Sequence, residues 1–325
     1  MTVVLFTLGG TIAMAGAGST GVVARLTGAD LAAAVPGLAE IPLDVRDVAA
    51  VPSAALTYQQ VLDLVEAAGA AVADGATGVV VTQGTDTLEE TAYLADLVWP
   101  HPAPLVLTGA MRNPTLAGPD GPANLLAAVR VAAAPTARDL GVLVAFNDEI
   151  HAARFVRKTH STSTATFASP NAGPLGHVIE GQVRLLTRPP RHEPLPPVAA
   201  DRLAATRVAL HTVTLDDDVT LVEAVAHGRD GLVVAGFGVG HVPPDLAPAL
   251  GALAARMPVV LTSRTGAGSV LRHTYGAIGS ETDLRRRGLV DGGLLDPYKA
   301  KLLLRLLLAT GADRAAVPDA FARHG

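Results

Sequence analysis

The stretch Val79–Tyr93, VVVTQGTDTLEETAY, decides the fold. It opens on an apolar β-branched run, the mark of a strand buried on both faces. The run breaks at Gln83-Gly84 and then sets Thr85, Asp86 and Thr87 in succession. Thr87 with Glu90 three residues on reads as a capping box, and Leu88, Thr91, Leu94, Leu97 and Val98 follow at helical spacing. A buried strand that turns sharply into a helix is half of a βαβ unit. Thr85 and Asp86 therefore fall at the carboxyl edge of a parallel sheet, where open α/β sheets bind ligands. A hydroxyl beside a carboxylate in such a turn can do chemistry or recognise a charged amine. The competing reading is that Asp86 and Thr87 only cap the helix.

The flanking sequence repeats this alternation. Thr2–Thr7 predicts a first strand that runs into Gly9-Gly10-Thr11, and Ala15–Gly21 is a loop of small residues. Leu26–Val35 and Thr57–Ala73 predict helices, the second opened by a Thr57/Gln60 capping box and ended at Gly75. Pro104–Thr108 and Gly141–Phe146 predict strands around a helix at Ala123–Ala133. Thr187–Ala200 holds five prolines without apolar periodicity and reads as an extended linker. Beyond it, strands at Arg207–Val213, Gly231–Ala235 and Pro258–Thr262 alternate with helices near Leu221–His227 and Leu246–Arg256, and Leu294–Leu308 closes as a helix. The fold class is α/β: a larger N-terminal domain with a mostly parallel sheet flanked by helices, and a smaller C-terminal α/β domain. The expected division is residues 1–186, a linker at 187–203, and 204–325.

Composition narrows the chemistry. The 325 residues are 49% hydrophobic but only 3% aromatic, so the core must be aliphatic. A net charge of −5 argues against a nucleic-acid surface. With no cysteine there is no disulfide, thiol nucleophile or Cys zinc site. The amino terminus lacks the basic and long apolar regions of a secretion signal, and no apolar run is long and unbroken enough to span a bilayer. The expectation is a soluble, cytoplasmic protein with neither membrane nor nucleic-acid partners. No GxxxxGK[ST], GxSxG or HExxH motif occurs, no GxGxxG follows a strand, and the ten histidines lack paired ligand spacing. Neither a cofactor nor a metal is expected, so catalysis must come from side chains.

Threonine is what remains. Gly9-Gly10 lets backbone N–H groups approach a ligand, and it brings Thr11 to the same sheet edge as Thr85 and Asp86. A threonine hydroxyl needs a base, and neither turn holds a histidine. Lys158, in RFVRKTHS just after the fifth strand, is the candidate. Thr85, Lys158 and Asp86 would then form a nucleophile–base–orienter chain of the Ser-Lys kind. The competing readings are an ordinary glycine turn at Thr11 and a solvated charge at Lys158.

These residues carry a resemblance. Leu8–Ala13 (LGGTIA) and Thr82–Thr91 (TQGTDTLEET) are similar to the two threonine signatures of the bacterial-type L-asparaginases and glutaminase-asparaginases. TGAMR at Thr108–Arg112, DGPANL at Asp120–Leu125, Arg157-Lys158-Thr159, Pro174-Leu175-Gly176 and Thr262-Ser263-Arg264 extend the likeness over the whole chain. The resemblance implies cofactor-independent hydrolysis of a side-chain amide, that of asparagine first, to a carboxylate and ammonia. It implies Thr11 as the nucleophile, supported by Thr85, Lys158 and Asp86. Asp86 would hold the substrate α-ammonium, Ser53 the α-carboxylate, and the peptide groups of Thr85 and Ala110 the oxyanion. It also implies a homodimer or homotetramer with shared sites, in which Glu281 of a neighbour reaches the substrate amine. Two departures stand out. The loop after Gly10-Thr11 lacks the tyrosine usual in the family, for which Tyr275 is the candidate substitute, and Val239 stands where several members carry asparagine. Hydrolysis of glutamine or another amide, and a sensor that binds without cleaving, are the alternatives.

Overall fold

The computed structural model describes residues 2–15, 23–24 and 26–325, so all of the small-residue loop beyond Ala15 lies outside the described residues. The chain divides into two units, Met1–Pro194 and Leu195–Gly325.

In the first unit an eight-stranded sheet runs Gln182–Leu185, Gly176–Ile179, Glu149–Ala152, Val142–Phe146, Leu105–Thr108, Ala76–Thr82, Thr2–Thr7, Leu43–Asp47. The last five in that order are mutually parallel, and the first three are joined antiparallel. The period of two along each strand sorts the core into two layers. Val80, Val106 and Leu143 face the helix Gly121–Ala133 through Leu125, Ala128 and Val129. Val79, Val81, Leu105 and Val144 face Leu64 and Ala68 of Tyr58–Ala73 and Leu88 and Ala92 of Leu88–Asp96. Each fully buried valine of the 79–81 run contributes about 2 kcal/mol of transfer free energy.

The Thr57/Gln60 capping box forms as read, with Gly75 at φ 103° just beyond that helix. The Thr87/Glu90 box does not. Thr87 occupies the cap position, but its hydroxyl donates to the Ser53 carbonyl at 2.9 Å and makes no cap hydrogen bond. A neighbouring loop takes the group that local pattern assigns to the helix. The antiparallel strands of residues 149–185 and the edge strand Leu43–Asp47 were not anticipated.

The second unit has four parallel strands in sequence order: Val208–Thr212, Gly231–Gly236, Val259–Ser263 and Val290–Asp291. Leu232, Val234, Val259 and Leu261 pack with Val222 of the helix Val219–Ala226 and with Leu246, Leu250 and Leu253 of Leu246–Ala254. The helix expected at Leu294–Leu308 spans Pro297–Thr310, capped by Asp296, and is not the last: Ala316–His324 follows. Between strand and helix, residues 187–199 hold no regular structure. The guanidiniums of Arg188 and Arg191 tie the start of this proline-rich stretch to the carbonyls of Thr136, Arg138, Trp99 and His101. Among the described residues no helix is long and apolar enough to cross a membrane.

Candidate active site

Three strand ends meet at one edge. Thr7, Thr82 and Thr108 stand in register on adjacent parallel strands, and each strand opens into a glycine turn: Gly9-Gly10, Gly84 and Gly109. The turns are pressed together. A β-carbon on Gly10 would lie 2.3 Å from the Gly84 nitrogen, and one on Gly84 would lie 2.6 Å from Ser53 Oγ. Gly10 also sits at φ 90°, a conformation open to glycine and costly for other residues. The turn Thr11–Ala13 follows Gly10 directly.

Thr85 is buried, and its Oγ1 accepts from Lys158 Nζ at 2.9 Å while it donates to Met111 Sδ at 3.4 Å. The thioether is a weak acceptor, so the hydroxyl proton is held loosely. The same Nζ donates to Asp86 Oδ1 at 3.1 Å. Asp86 is anchored by its own N–H donating to Ser53 Oγ at 3.3 Å, and Ser53 Oγ lies 3.4 Å from Asp86 Oδ2. The Lys158 side chain is 17% exposed and pinned, whereas that of Asp86 is 69% exposed in the single chain. The competing reading of Lys158 as a solvated charge does not fit this placement, and Asp86 faces outward rather than into a closed cleft.

Lys158 arrives on a two-residue ribbon, Arg157–Lys158 paired antiparallel with Phe167–Ala168. Phe167 fixes the ribbon to the sheet by packing on Phe146, ring centroids 4.8 Å apart. Ser169, next along, has its Oγ 3.0 Å from Nδ1 of His151. Burial, with the charge of His177 behind it, pushes His151 down to about 4, so it is neutral near pH 7. Its Nε2 lies 3.2 Å from Glu149 Oε2 but forms no hydrogen bond there.

Asp120 and Asn124 build the third turn. The Asp120 carboxylate accepts from the N–H groups of Met111 and Arg112, the shortest at 2.8 Å, and Asn124 Nδ2 donates to the Gly109 carbonyl at 3.1 Å. The N–H groups of Ala110, which is fully buried, and of Thr85 have no partner among the described residues. Gln83, also fully buried, donates to Thr87 and Thr91 and braces the turn from behind. Sequence reading gave no role to Gln83, Asp120 or Asn124. The DGPANL motif was the available signal for the last two.

Glu281 and Tyr275 belong to the second unit. Glu281 is fully buried and accepts from the N–H groups of Thr274 at 2.9 Å and Tyr275 at 2.7 Å, with His241 Nε2 at 3.2 Å. Burial pushes its carboxyl up, but these hydrogen bonds outweigh it and hold the group below its ordinary value. The Tyr275 ring is half-exposed and stands edge-on to His241. Val239 lies in the turn between the bridged residues Phe237 and His241. Among the described residues no group of three or more acidic or histidine side chains could hold a metal ion.

The chain is similar to known proteins over both halves. Residues 2–191 match the family described as Asparaginase, N-terminal, and residues 207–321 match the Glutaminase/Asparaginase C-terminal domain. An L-asparaginase from Bacillus licheniformis is 34% identical over 316 residues, 95% of either chain. A glutaminase-asparaginase from Pseudomonas aeruginosa is 34% identical over 96% of this chain and 87% of its own. The solved structure of a probable cytoplasmic L-asparaginase from Campylobacter jejuni superposes with a TM-score of 0.86 at 32% identity, covering 99% of each chain. With both halves matched and the glycine turns in register, the chain belongs to the asparaginase family.

Proposed function

We propose that the chain hydrolyses the side-chain amide of L-asparagine to L-aspartate and ammonia, through an ester on Thr11 and without a cofactor. What carries the reading is the bridge from Lys158 Nζ to both Thr85 Oγ1 and Asp86 Oδ1. In this reading Thr11 Oγ1 attacks the amide carbon, and the carbonyl oxygen takes the charge. The unpaired N–H groups of Thr85 and Ala110 receive that oxygen, a contribution worth about 3–4 kcal/mol in comparable acyl-transfer sites. The tetrahedral species collapses, the C–N bond breaks, and the nitrogen leaves as ammonia carrying the proton that Thr11 Oγ1 gave up on attack. Water then attacks the ester, passing its proton through Thr85 to the amine of Lys158 with Asp86 balancing the charge; the C–O bond to Thr11 breaks, and Thr11 Oγ1 takes that proton back as aspartate leaves. Asp86 also takes the α-ammonium of the substrate, which fits its outward carboxylate, and Ser53 the α-carboxylate.

The likeness to both an L-asparaginase and a glutaminase-asparaginase leaves glutamine as the second amide, and Val239 removes one polar side chain that could select between them. Assembly is proposed as a homodimer or homotetramer. A neighbour would bring the 272–281 segment, with the Glu281 carboxylate, which also holds the backbone N–H of Tyr275, reaching the substrate amine and Tyr275 replacing the missing loop phenol. Ammonia release from asparagine, glutamine and simple amides tests the reading, with Thr11→Ala and Thr85→Ala as controls. Activity on asparagine lost in both controls is expected; ligand binding with no ammonia from any amide would favour a sensor. Tyr275→Phe should lower kcat while leaving folding intact.

A further inference from the structure

Met111 is a soft, apolar side chain at a polar post. It is partly buried and packs against the apolar layer that holds Leu107 and Phe167. Yet its Sδ accepts the Thr85 hydroxyl proton, with 3.4 Å between Sδ and Oγ1. Because Oγ1 also accepts from Lys158 Nζ at 2.9 Å, the hydroxyl stands between a cation that donates and a sulfur that receives. The Met111 main chain is pinned here, its N–H donating to both oxygens of the Asp120 carboxylate at 3.0 and 3.1 Å.

A thioether is a feeble acceptor, so Thr85 leaves this bond easily when water needs a relay. The same sulfur is open to oxidation. The chain has no cysteine to intercept an oxidant, and its four methionines are Met1, Met14, Met111 and Met257. Met257 is buried, whereas Met111 is partly exposed. Oxidation turns an apolar thioether into a polar sulfoxide, whose oxygen accepts hydrogen bonds well. Placed on Sδ, that oxygen would hold the Thr85 proton firmly or push the hydroxyl away from Lys158.

We propose that Met111 is an oxidation site, at which hydrogen peroxide forms a sulfoxide that stops the Thr85 relay. The sulfur lone pair attacks one peroxide oxygen, and an S–O bond forms as the O–O bond breaks. Sulfur gives up two electrons, and the second oxygen leaves with both hydrogens as water. The proposal rests on the role given to Thr85 above.

The test exposes wild type, Met111→Leu and Met14→Leu to hydrogen peroxide, removes it with catalase, and compares each with its own untreated sample. Peptide mass spectrometry reads the sulfoxide at each methionine, and ammonia release from asparagine reads turnover. In wild type, turnover should fall in step with the unoxidised fraction of Met111, by about 100-fold in kcat at full conversion. KM should change less, and the far-ultraviolet spectrum should stay as it was. Met14→Leu should lose activity as wild type does, while Met111→Leu keeps most of its own untreated rate. The wild-type arm needs no variant to fold.

Full conversion of Met111 with turnover unchanged would overturn the assignment, as would an equal loss in Met111→Leu. So would a loss of activity that precedes Met111 oxidation or that follows a collapse of the far-ultraviolet spectrum. An untreated wild type that releases no ammonia would sink the earlier reading and this one with it; an active enzyme indifferent to the sulfoxide would sink this one alone.

Discussion

The backbone nitrogen of Gly84 occupies the space that a β-carbon on Gly10 would need, with 2.3 Å between them. Neither partner can yield, because both are main chain at the ends of adjacent strands in register. Gly10→Ala should therefore separate the two turns. The positive φ alone costs about 1–3 kcal/mol, and the clash adds to it. We expect a lower denaturation midpoint together with loss of ammonia release. An alanine variant with wild-type stability and turnover would show that the turns do not depend on this contact.

Lys158 donates to two acceptors that lie side by side in sequence. Lys158→Met keeps the stem and removes the amine, and general-base groups contribute about 10²–10⁴-fold. Turnover should fall by that order, with the circular-dichroism spectrum and melting temperature close to wild type. Lys158→Arg should not rescue, since a planar guanidinium neither loses its proton nor fits an ammonium position. Substantial activity in either variant would remove Lys158 from the chemistry.

Asp120 concerns a different part of the site, the peptide beside the expected oxyanion. Its carboxylate satisfies the N–H groups of Met111 and Arg112 and one amide proton of Asn124. Asp120→Ala leaves these donors without acceptors, a penalty of about 1–3 kcal/mol for a buried one. The turn that presents the Ala110 N–H should loosen, and kcat should fall about tenfold or more while KM changes less. If KM alone rises, Asp120 serves substrate binding instead.

The neutral, buried His151 predicts how stability responds to acid. Its folded value of about 4 lies below the ordinary 6.5, so the unfolded chain binds a proton that the folded chain refuses. Stability from this group is complete above pH 6.5 and is lost as pH falls toward 4. The gap corresponds to about 3 kcal/mol. Urea unfolding at pH 7.5 and 4.5 should show a smaller acid-induced loss in His151→Gln than in wild type. Equal losses would mean that other groups govern the response.

The parallel core of the main sheet and the glycine turns at its edge were legible because each depends on local pattern. Apolar β-branched runs specify buried parallel strands, and the glycine pairs mark where backbone must come close. What was not legible depends on distant partners. Thr87 looks like a helix cap until the Ser53 carbonyl claims its hydroxyl. Leu43–Asp47 (LDVRD) and Gln182–Leu185 (QVRL) mix charge with apolar residues, as edge strands do, so neither carries the signal of a buried strand. Glu89 reads as an ordinary first-turn acid, since nothing in its neighbourhood announces that the Lys158 N–H, 69 residues later, donates to its carboxylate.

Thr85 and Lys158 stand 73 positions apart, and the lysine rides on the shortest kind of ladder in its unit. Peeling that ribbon away would sever the hydroxyl–amine contact while the eight-stranded sheet stayed whole. Turnover is then a more sensitive thermometer than ellipticity. On slow heating, enzyme activity should vanish several degrees before the far-ultraviolet signal begins to melt.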